Sequence, residues 1–147
     1  MKKQLIFGHL IPLLIGGLIY TLFRAPTVKM FAWYENLGFR QTIDELRKGT
    51  IQLNDGIANW ILFSLPDGLW IFSYVSLILL IWKNSISRNS IIWVLLIPIL
   101  AVCSEIGQCF NLVPGVFDLI DFLFYFLGMT LPFVFYKQSI TLKFQAL

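Results

Sequence analysis

Four long apolar stretches divide the chain, and they cover residues 5–23, 60–82, 91–110 and 116–136. At a helical rise of about 1.5 Å per residue, each stretch is long enough to cross roughly 30 Å of hydrocarbon. The polar residues fall mainly between these stretches, in two short connections and one longer connection at residues 24–59. The pattern therefore predicts an all-α integral membrane bundle of four transmembrane helices, with residues 1–147 forming a single membrane domain.

The longer connection carries its own helical signal. Residues Thr42 to Glu45 have the form of a capping box, and Phe39, Ile43 and Leu46 fall at spacings that suit one apolar side of a short helix ending at Gly49. We expect an amphipathic helix on the outer surface between the first and second spans. An ordinary connecting loop is the alternative.

Each predicted span contains one proline: Pro12, Pro66, Pro98 or Pro132. Membrane helices tolerate proline where neighbouring groups satisfy the carbonyl that loses its partner. The sequence Pro66-Asp67-Gly68 combines proline with two poor helix formers, so it is the strongest candidate for a kink or a local break.

Composition agrees with a membrane location. The chain is 58% hydrophobic and 13% charged, whereas soluble domains are about 45–50% apolar and about 25% charged. The net charge of +3 would suit a nucleic-acid partner in a soluble protein. Here the basic residues flank apolar stretches and leave no basic surface interleaved with aromatic residues. We therefore expect membrane lipids and membrane-protein subunits as partners, and no nucleic acid.

The basic residues also predict an orientation. They precede the first span, lie in the second connection and follow the fourth span, whereas the third connection has none. The positive-inside rule then places both termini in the cytoplasm. The first connection carries five cations that oppose this assignment, although four acidic residues nearly balance them.

Polar residues on three predicted spans fall at matching depths. With helices entering as above, Asp67 lies roughly 10 Å below the outer edge, and Glu105 and Asp121 lie roughly 8 Å below it. A carboxylate in hydrocarbon is costly, and ionisable groups at such depths are usually functional. We therefore predict an acidic cavity in the outer half of the bundle. Its predicted binding residues are Glu105, Asp121, Asp118, Gln108, Asp67, Tyr125 and, as counter-ion, Arg24.

Some of these residues also have a purely structural interpretation. Asp118 lies near a helix start, where a carboxylate caps exposed N–H groups. Asp67 follows a proline, where its side chain can satisfy broken backbone. Glu105 and Asp121 are deeper and are harder to explain in this way.

The sequence gives no catalytic signature. It contains no H-E-x-x-H, C-x-x-C or G-x-S-x-G pattern, and its single histidine, His9, is predicted far from the acids. Oxygen ligands alone would favour Mg²⁺ or Ca²⁺ over zinc. We expect a binding protein rather than an enzyme, with no cofactor and no resident metal.

The polar residues resemble the motifs of the VanZ-like family of small bacterial membrane proteins. That family has Asn-x3-Phe near Pro-x-Gly-Leu, then Glu-x2-Gln, then Asp-x2-Asp-x3-Asn-x2-Gly. The matching positions are Asn59, Phe63, Pro66, Gly68, Leu69, Glu105, Gln108, Asp118, Asp121 and Gly128. This chain has Tyr125 where the family has asparagine, Asp67 where it has an apolar residue, and one extra residue between Phe63 and Pro66.

The resemblance implies a multi-pass protein of the bacterial cytoplasmic membrane with a role in the cell envelope; the family's founding member is linked to teicoplanin resistance. We therefore expect the acidic cavity to bind a lipid-linked or amphiphilic ligand. Two alternatives stay open: an accessory subunit of a larger membrane complex, and a divalent-metal-dependent hydrolase or transferase acting on a lipid phosphate.

Overall fold

The computed structural model describes residues 1–50 and 56–143, and within these ranges the fold is all-α. A π-helical segment, Gln4–Leu10, runs directly into the first α-helix, and a 3-10 turn, Lys137–Ser139, follows the last. The seven α-helices of the described ranges are α1 (Ile11–Phe23), α2 (Lys29–Asn36), α3 (Arg40–Thr50), α4 (Asn59–Phe63), α5 (Leu65–Ile81), α6 (Arg88–Cys109) and α7 (Leu119–Phe135). Strands β1 (Ser85–Ile86) and β2 (Thr141–Leu142) pair in parallel and bring the C-terminal segment back to the α5–α6 connection.

Among the residues that the structure describes, two helices are long and apolar enough to cross a membrane: the continuous helix Gln4–Phe23 and α6. The other two predicted spans contain shorter apolar helices, α5 and α7, of 17 residues each. At 1.5 Å per residue, 17 residues rise about 26 Å, slightly less than the hydrocarbon thickness. Helix length alone therefore assigns two of the four predicted spans.

Helix α5 is the centre of the fold. It packs against the π-helical segment, α1, α4, α6 and α7, and its closest partner is α7. Ile71, Val75 and Leu79 of α5 are almost fully buried and form the main apolar core with Ile86 and Val94. The remaining helices are thus arranged around α5.

Small residues let the other helices approach α5 closely. Gly16 of α1 lies against Trp70 and the Pro66 carbonyl. Gly68 of α5 lies against Phe124 of α7, and an added Cβ at Gly128 would overlap the Gly68 carbonyl oxygen. Such small-residue contacts are typical of helix packing in membranes, where dispersion rather than the hydrophobic effect holds helices together.

The N-terminal π-helix turns two polar residues toward α5. Its i→i+5 register brings Gln4 and His9 to one side of the helix. Gln4 exchanges two amide hydrogen bonds with Asn84, at 2.9 and 3.1 Å. His9 Nδ1 lies 2.7 Å from Ser73 Oγ, and Ser73 Oγ donates to the His9 carbonyl at 3.1 Å. These bonds attach the N-terminal helix to α5 and to Asn84, which lies three residues after the end of α5.

The second predicted span is not one continuous helix. It breaks at Ser64 between α4 and α5, two residues before Pro66. Proline lacks an N–H, so Pro66 cannot donate to the Leu62 carbonyl, and proline suits the first turn of a new helix. The break expected around Pro66-Asp67-Gly68 is therefore present, but it lies on the N-terminal side of the proline.

The third and fourth predicted spans differ from the structure at their ends. Helix α6 starts three residues earlier than predicted because Ser87 and Ser90 form a capping box at its N-terminus. Helix α7 starts at Leu119 rather than at residue 116, because Asp118 caps it: the Asp118 side chain accepts a hydrogen bond from the Ile120 N–H at 2.8 Å.

The connection 24–59 contains two helices, α2 and α3, rather than the single predicted helix, and its residues 51–55 lie outside the described ranges. The capping box predicted at Thr42 is wrong, since α3 already begins at Arg40. Of the predicted apolar side, Ile43 is buried, but Phe39 and Leu46 are 56% and 60% exposed. Of these three residues of the predicted apolar side, only Ile43 packs against neighbouring parts of the fold.

Arg47 attaches this connection to the end of α1. Its guanidinium group donates to the carbonyls of Thr21 and Arg24, at 2.5 and 2.8 Å. These carbonyls lie at the C-terminal end of α1, where no further helical N–H is available. Phe31 of α2 is fully buried between the guanidinium groups of Arg40 and Arg47.

Candidate functional site

The acids of the predicted site lie at the ends of three helices. Asp67 is in the first turn of α5, Glu105 is in the last turns of α6, and Asp118 and Asp121 are at the start of α7. Because α5 and α7 pack side by side through Gly68, these ends lie at one side of the molecule. We call Asp67, Glu105, Asp118 and Asp121 the acidic group.

Glu105 connects α6 to α7. The residue is 2% exposed, and its Oε1 accepts a hydrogen bond from the Asp118 backbone N–H at 2.6 Å. An ionised acceptor makes this kind of bond short and strong. Glu105 therefore fixes the chain at the start of α7, a structural role that the sequence prediction did not include.

Asp118 serves the backbone rather than an open site. Its Oδ1 caps α7 through the Ile120 N–H, and the residue is exposed. The capping interpretation left open for this residue is confirmed. Asp118 contributes to the acidic group mainly through its position next to Glu105.

Asp121 has a buried oxygen without a partner. Within residues 1–50 and 56–143, its Oδ1 has no hydrogen-bond partner although it is shielded from solvent. The carboxylates of Asp67 and Glu105 are close enough to interact electrostatically with Asp121. Ser64 Oγ, one turn before Asp67, is likewise buried and unpaired. Buried polar atoms are almost always paired, so the unpaired Asp121 oxygen marks a place where a donor is missing.

Tyr125 and Arg24 border the acidic group. Tyr125 follows Asp121 by one turn of α7. The Arg24 guanidinium lies over the rings of Tyr20 and Phe63, at 5.4 and 5.3 Å. It attracts Asp67 electrostatically. In the described part of the chain, however, the one ion pair within 4.0 Å is Arg40–Asp44, so Arg24 does not neutralise an acid by direct contact.

Gln108 faces the connection between α6 and α7 instead of the acids. Its amide group lies so close to Gly115 that an added Cβ there would come within 2.5 Å of it. Gly115 also has a positive φ of +146°, which favours glycine. Gln108 therefore packs the hairpin connection, and no contact with the acidic group places it in a binding site.

The space next to the acidic group is an apolar groove between α6 and α7. It has a volume of about 270 Å³ and includes the Tyr125 side chain among its lining residues. The acids themselves do not line this groove. Tyr125 thus lies between the apolar groove, which it lines, and the acidic group, one of whose members, Asp121, is one helical turn away.

Metal binding receives no support from ligand geometry. Within the described ranges, no group of three or more His, Cys, Asp or Glu residues is close enough to hold a metal ion. The acidic group is better suited to a bulky cation with several hydrogen-bond donors than to a small ion that needs converging ligands.

The sequence prediction missed two aromatic residues beside the acidic group. Trp60 of α4 stacks on Phe124 of α7, with ring centroids 5.8 Å apart. Phe63 supports Arg24. Both positions precede the break that separates α4 from α5, and the aromatic content of residues 60–63 was the available signal.

Comparisons with known protein families, with curated proteins and with solved structures gave no match. The resemblance to the VanZ-like family therefore rests on the motif residues alone.

Proposed function

We propose that the chain is a four-span, VanZ-like membrane protein of the cell envelope that binds an amphiphilic or lipid-linked ligand through a positively charged group. The four spans are the helix Gln4–Phe23, the pair α4–α5, α6 and α7. Both termini lie in the cytoplasm, and the acidic group lies toward the outside.

The observation that carries the proposal is the orphaned Asp121 oxygen among acids from three helices. A buried carboxylate oxygen without a donor is costly. An ammonium group supplies both positive charge and N–H donors, so its binding would remove that cost. The apolar α6–α7 groove beside Tyr125 suits the hydrocarbon part of such a molecule.

The binding test uses dodecylammonium as the probe and dodecanol as its uncharged counterpart. Full-length protein in nanodiscs is incubated with each, and the retained amphiphile is measured by mass spectrometry. We expect retention of dodecylammonium, reduced about tenfold or more by Asp121→Asn, since bonds to charged groups contribute about 1.5–3 kcal/mol. Glu45→Gln, which removes an exposed acid of α3, is the matched control.

Unchanged retention in both Asp121→Asn and Glu105→Gln would show that the acidic group is not a binding site. Equal retention of dodecylammonium and dodecanol by the unmodified protein would show the same.

The four-span arrangement has a separate test. In a chain whose two cysteines are replaced by serine, Leu112→Cys and Gln138→Cys report on the two ends of the bundle. We expect a membrane-impermeant maleimide to label position 112 in intact cells and position 138 only after the membrane is opened. Labelling of both positions from one side would refute the arrangement.

An accessory-subunit function is the second candidate, and the α6–α7 connection favours it. Leu112 and Val116 are 80% and 87% exposed, and no charged residue separates them. Exposed apolar surface of this kind often marks a protein contact. Purification at native expression decides the matter: a stable co-purifying subunit that is lost on Val116→Asp supports this function, and a homogeneous single species argues against it.

A further inference from the structure

A groove crosses α5 between the N-terminal helix and α7. Both helices pack on α5 but make little contact with each other, so the surface of α5 between them stays open. The groove consists of two adjoining cavities of about 270 and 420 Å³. Phe72 and Phe135 line both cavities, and their rings meet edge to face with centroids 6.0 Å apart. The two cavities therefore form one path along α5.

The chemistry of the groove changes from one end to the other. The smaller cavity is apolar, with Leu65, Leu127 and Leu131 among its lining residues. The larger cavity adds three polar side chains, Lys3, Gln4 and Tyr136. One continuous groove thus pairs an apolar part with a polar part that contains a cation.

The polar end of the groove lies in a cationic region. Gln4 contacts Asn84, and Lys143 N–H donates to the Ile86 carbonyl, so the N-terminus, the α5–α6 connection and the C-terminal strand meet there. In the parts of the chain that the structure describes, no acidic residue lies at this end. The cations at this end are Lys2, Lys3, Lys83, Arg88, Lys137 and Lys143.

We propose that this groove binds a phospholipid with a net anionic headgroup, with one acyl chain along α5 and the phosphate at Lys3. The inference rests on the proposed membrane insertion but not on the acidic group, which lies at the opposite ends of α5 and α7. Basic pockets between spans on the cytoplasmic side are suited to anionic headgroups. A cationic amphiphile would meet like charge at this end.

The shape and charge of the groove suit a single lipid. The Phe72 and Phe135 rings meet edge to face where the two cavities join, so an occupant of both cavities has to pass these rings. A flexible acyl chain can bend past them, whereas a helix about 10 Å across is stiff and straight.

The test measures retained lipid by native mass spectrometry on full-length protein mixed with equal amounts of phosphatidylglycerol and phosphatidylcholine. We expect preferential retention of phosphatidylglycerol. Lys3→Gln should lower it about fivefold, the ratio for loss of one basic side chain beside an anionic lipid. Lys2→Gln is the matched control, because it makes the same charge change at a neighbouring residue that does not line the groove.

A second pair of variants tests the apolar part. Leu131→Trp fills the smaller cavity and should reduce phosphatidylglycerol retention several-fold, whereas Leu123→Trp, on α7 but outside the groove, should not. Unfolding midpoints establish that both variants fold, and Lys3→Gln keeps the test decisive if Leu131→Trp does not.

Three results would overturn the proposal: equal effects of Lys3→Gln and Lys2→Gln, equal retention of the two lipids, or cross-linking of a second chain into the groove. Membrane fractionation separates the two hypotheses. A chain absent from the membrane fraction refutes the membrane insertion, whereas a membrane-inserted chain with unselective lipid retention refutes only the groove.

Discussion

Replacing Gly128 by alanine tests whether close packing of α5 on α7 holds the fold together. An added Cβ at Gly128 would overlap the Gly68 carbonyl oxygen and would lie 3.1 Å from Ile71 Cβ. The carbonyl belongs to the backbone of α5, so it cannot rotate away, and the two helices must separate. Overpacking of this kind costs about 1–3 kcal/mol, whereas the better helix propensity of alanine returns about 1 kcal/mol. We expect a net destabilisation of up to about 2 kcal/mol.

The matched control is Gly17→Ala in α1, where an added Cβ would meet no atom within 4 Å. Helix propensity then acts alone, and we expect a stabilisation of up to about 1 kcal/mol. Both variants are compared with the unmodified chain by reversible unfolding in mixed micelles, followed by circular dichroism. If Gly128→Ala is as stable as Gly17→Ala, the close approach of α5 and α7 does not limit stability, and the reasoning from their separation is wrong.

Three further predictions use hydrogen bonds. Glu105→Ala removes the acceptor of the Asp118 N–H and should lower the free energy of unfolding by about 1.5–3 kcal/mol. The control is Asp44→Ala, which breaks an exposed i,i+4 ion pair and should cost about 0.5 kcal/mol or less in the same unfolding assay. Gln4→Ala and Asn84→Gly should each destabilise the chain, and a double-mutant cycle should give a coupling energy of about 1 kcal/mol between the two residues. Additive effects of the two substitutions would contradict the contact. Glycine is used at position 84 because the φ of Asn84 is +55°. Arg47→Ala should make α2 and α3 more susceptible to chymotrypsin because Phe31 loses one of its two covering guanidinium groups, whereas Lys48→Ala should not, and equal cleavage of the two variants would contradict the contact.

Hydropathy located the helices but not their ends. The predicted stretches 5–23 and 91–110 correspond to Gln4–Phe23 and α6 because long apolar runs leave few alternatives to helix. The ends depend on single residues. Ser64 interrupts the second stretch shortly before Pro66. Asp118 shortens the fourth stretch because its side chain caps α7, which then begins at Leu119, three residues after the predicted start.

Counting helical rise predicted that the acids lie at one level, because each lies within about two turns of a helix end that the sequence marks. In the structure, Asp67 and Asp121 lie in the first turns of α5 and α7. Glu105 lies near the end of α6 and accepts a hydrogen bond from the residue that caps α7. Counting could not show how each carboxylate is used. The Glu105–Asp118 bond and the unpaired Asp121 oxygen depend on side-chain direction within the α6–α7 hairpin.

The contacts of the N-terminal helix could not be predicted for a different reason. Gln4 and Asn84 are 80 residues apart in sequence, and Gln4 and His9 share one side only because the first turns are π-helical. Neither hydropathy nor local propensity indicates that register. His9 was predicted to lie away from the acids, but its partner was not predicted; in the structure that partner is Ser73.

Buried polar groups at the two ends of α5 differ in whether they have hydrogen-bond partners, and this difference supports two distinct sites. At the cationic end, the amides of Gln4 and Asn84 satisfy each other, so their polarity stabilises the fold. At the acidic end, the unpaired atoms include a carboxylate oxygen of Asp121, for which the cost of burial without a donor is larger than for a hydroxyl. No donor for this oxygen lies within the residues that the structure describes. Under the proposed function, a cationic ligand supplies that donor, whereas the cations at the opposite end suit an anionic headgroup.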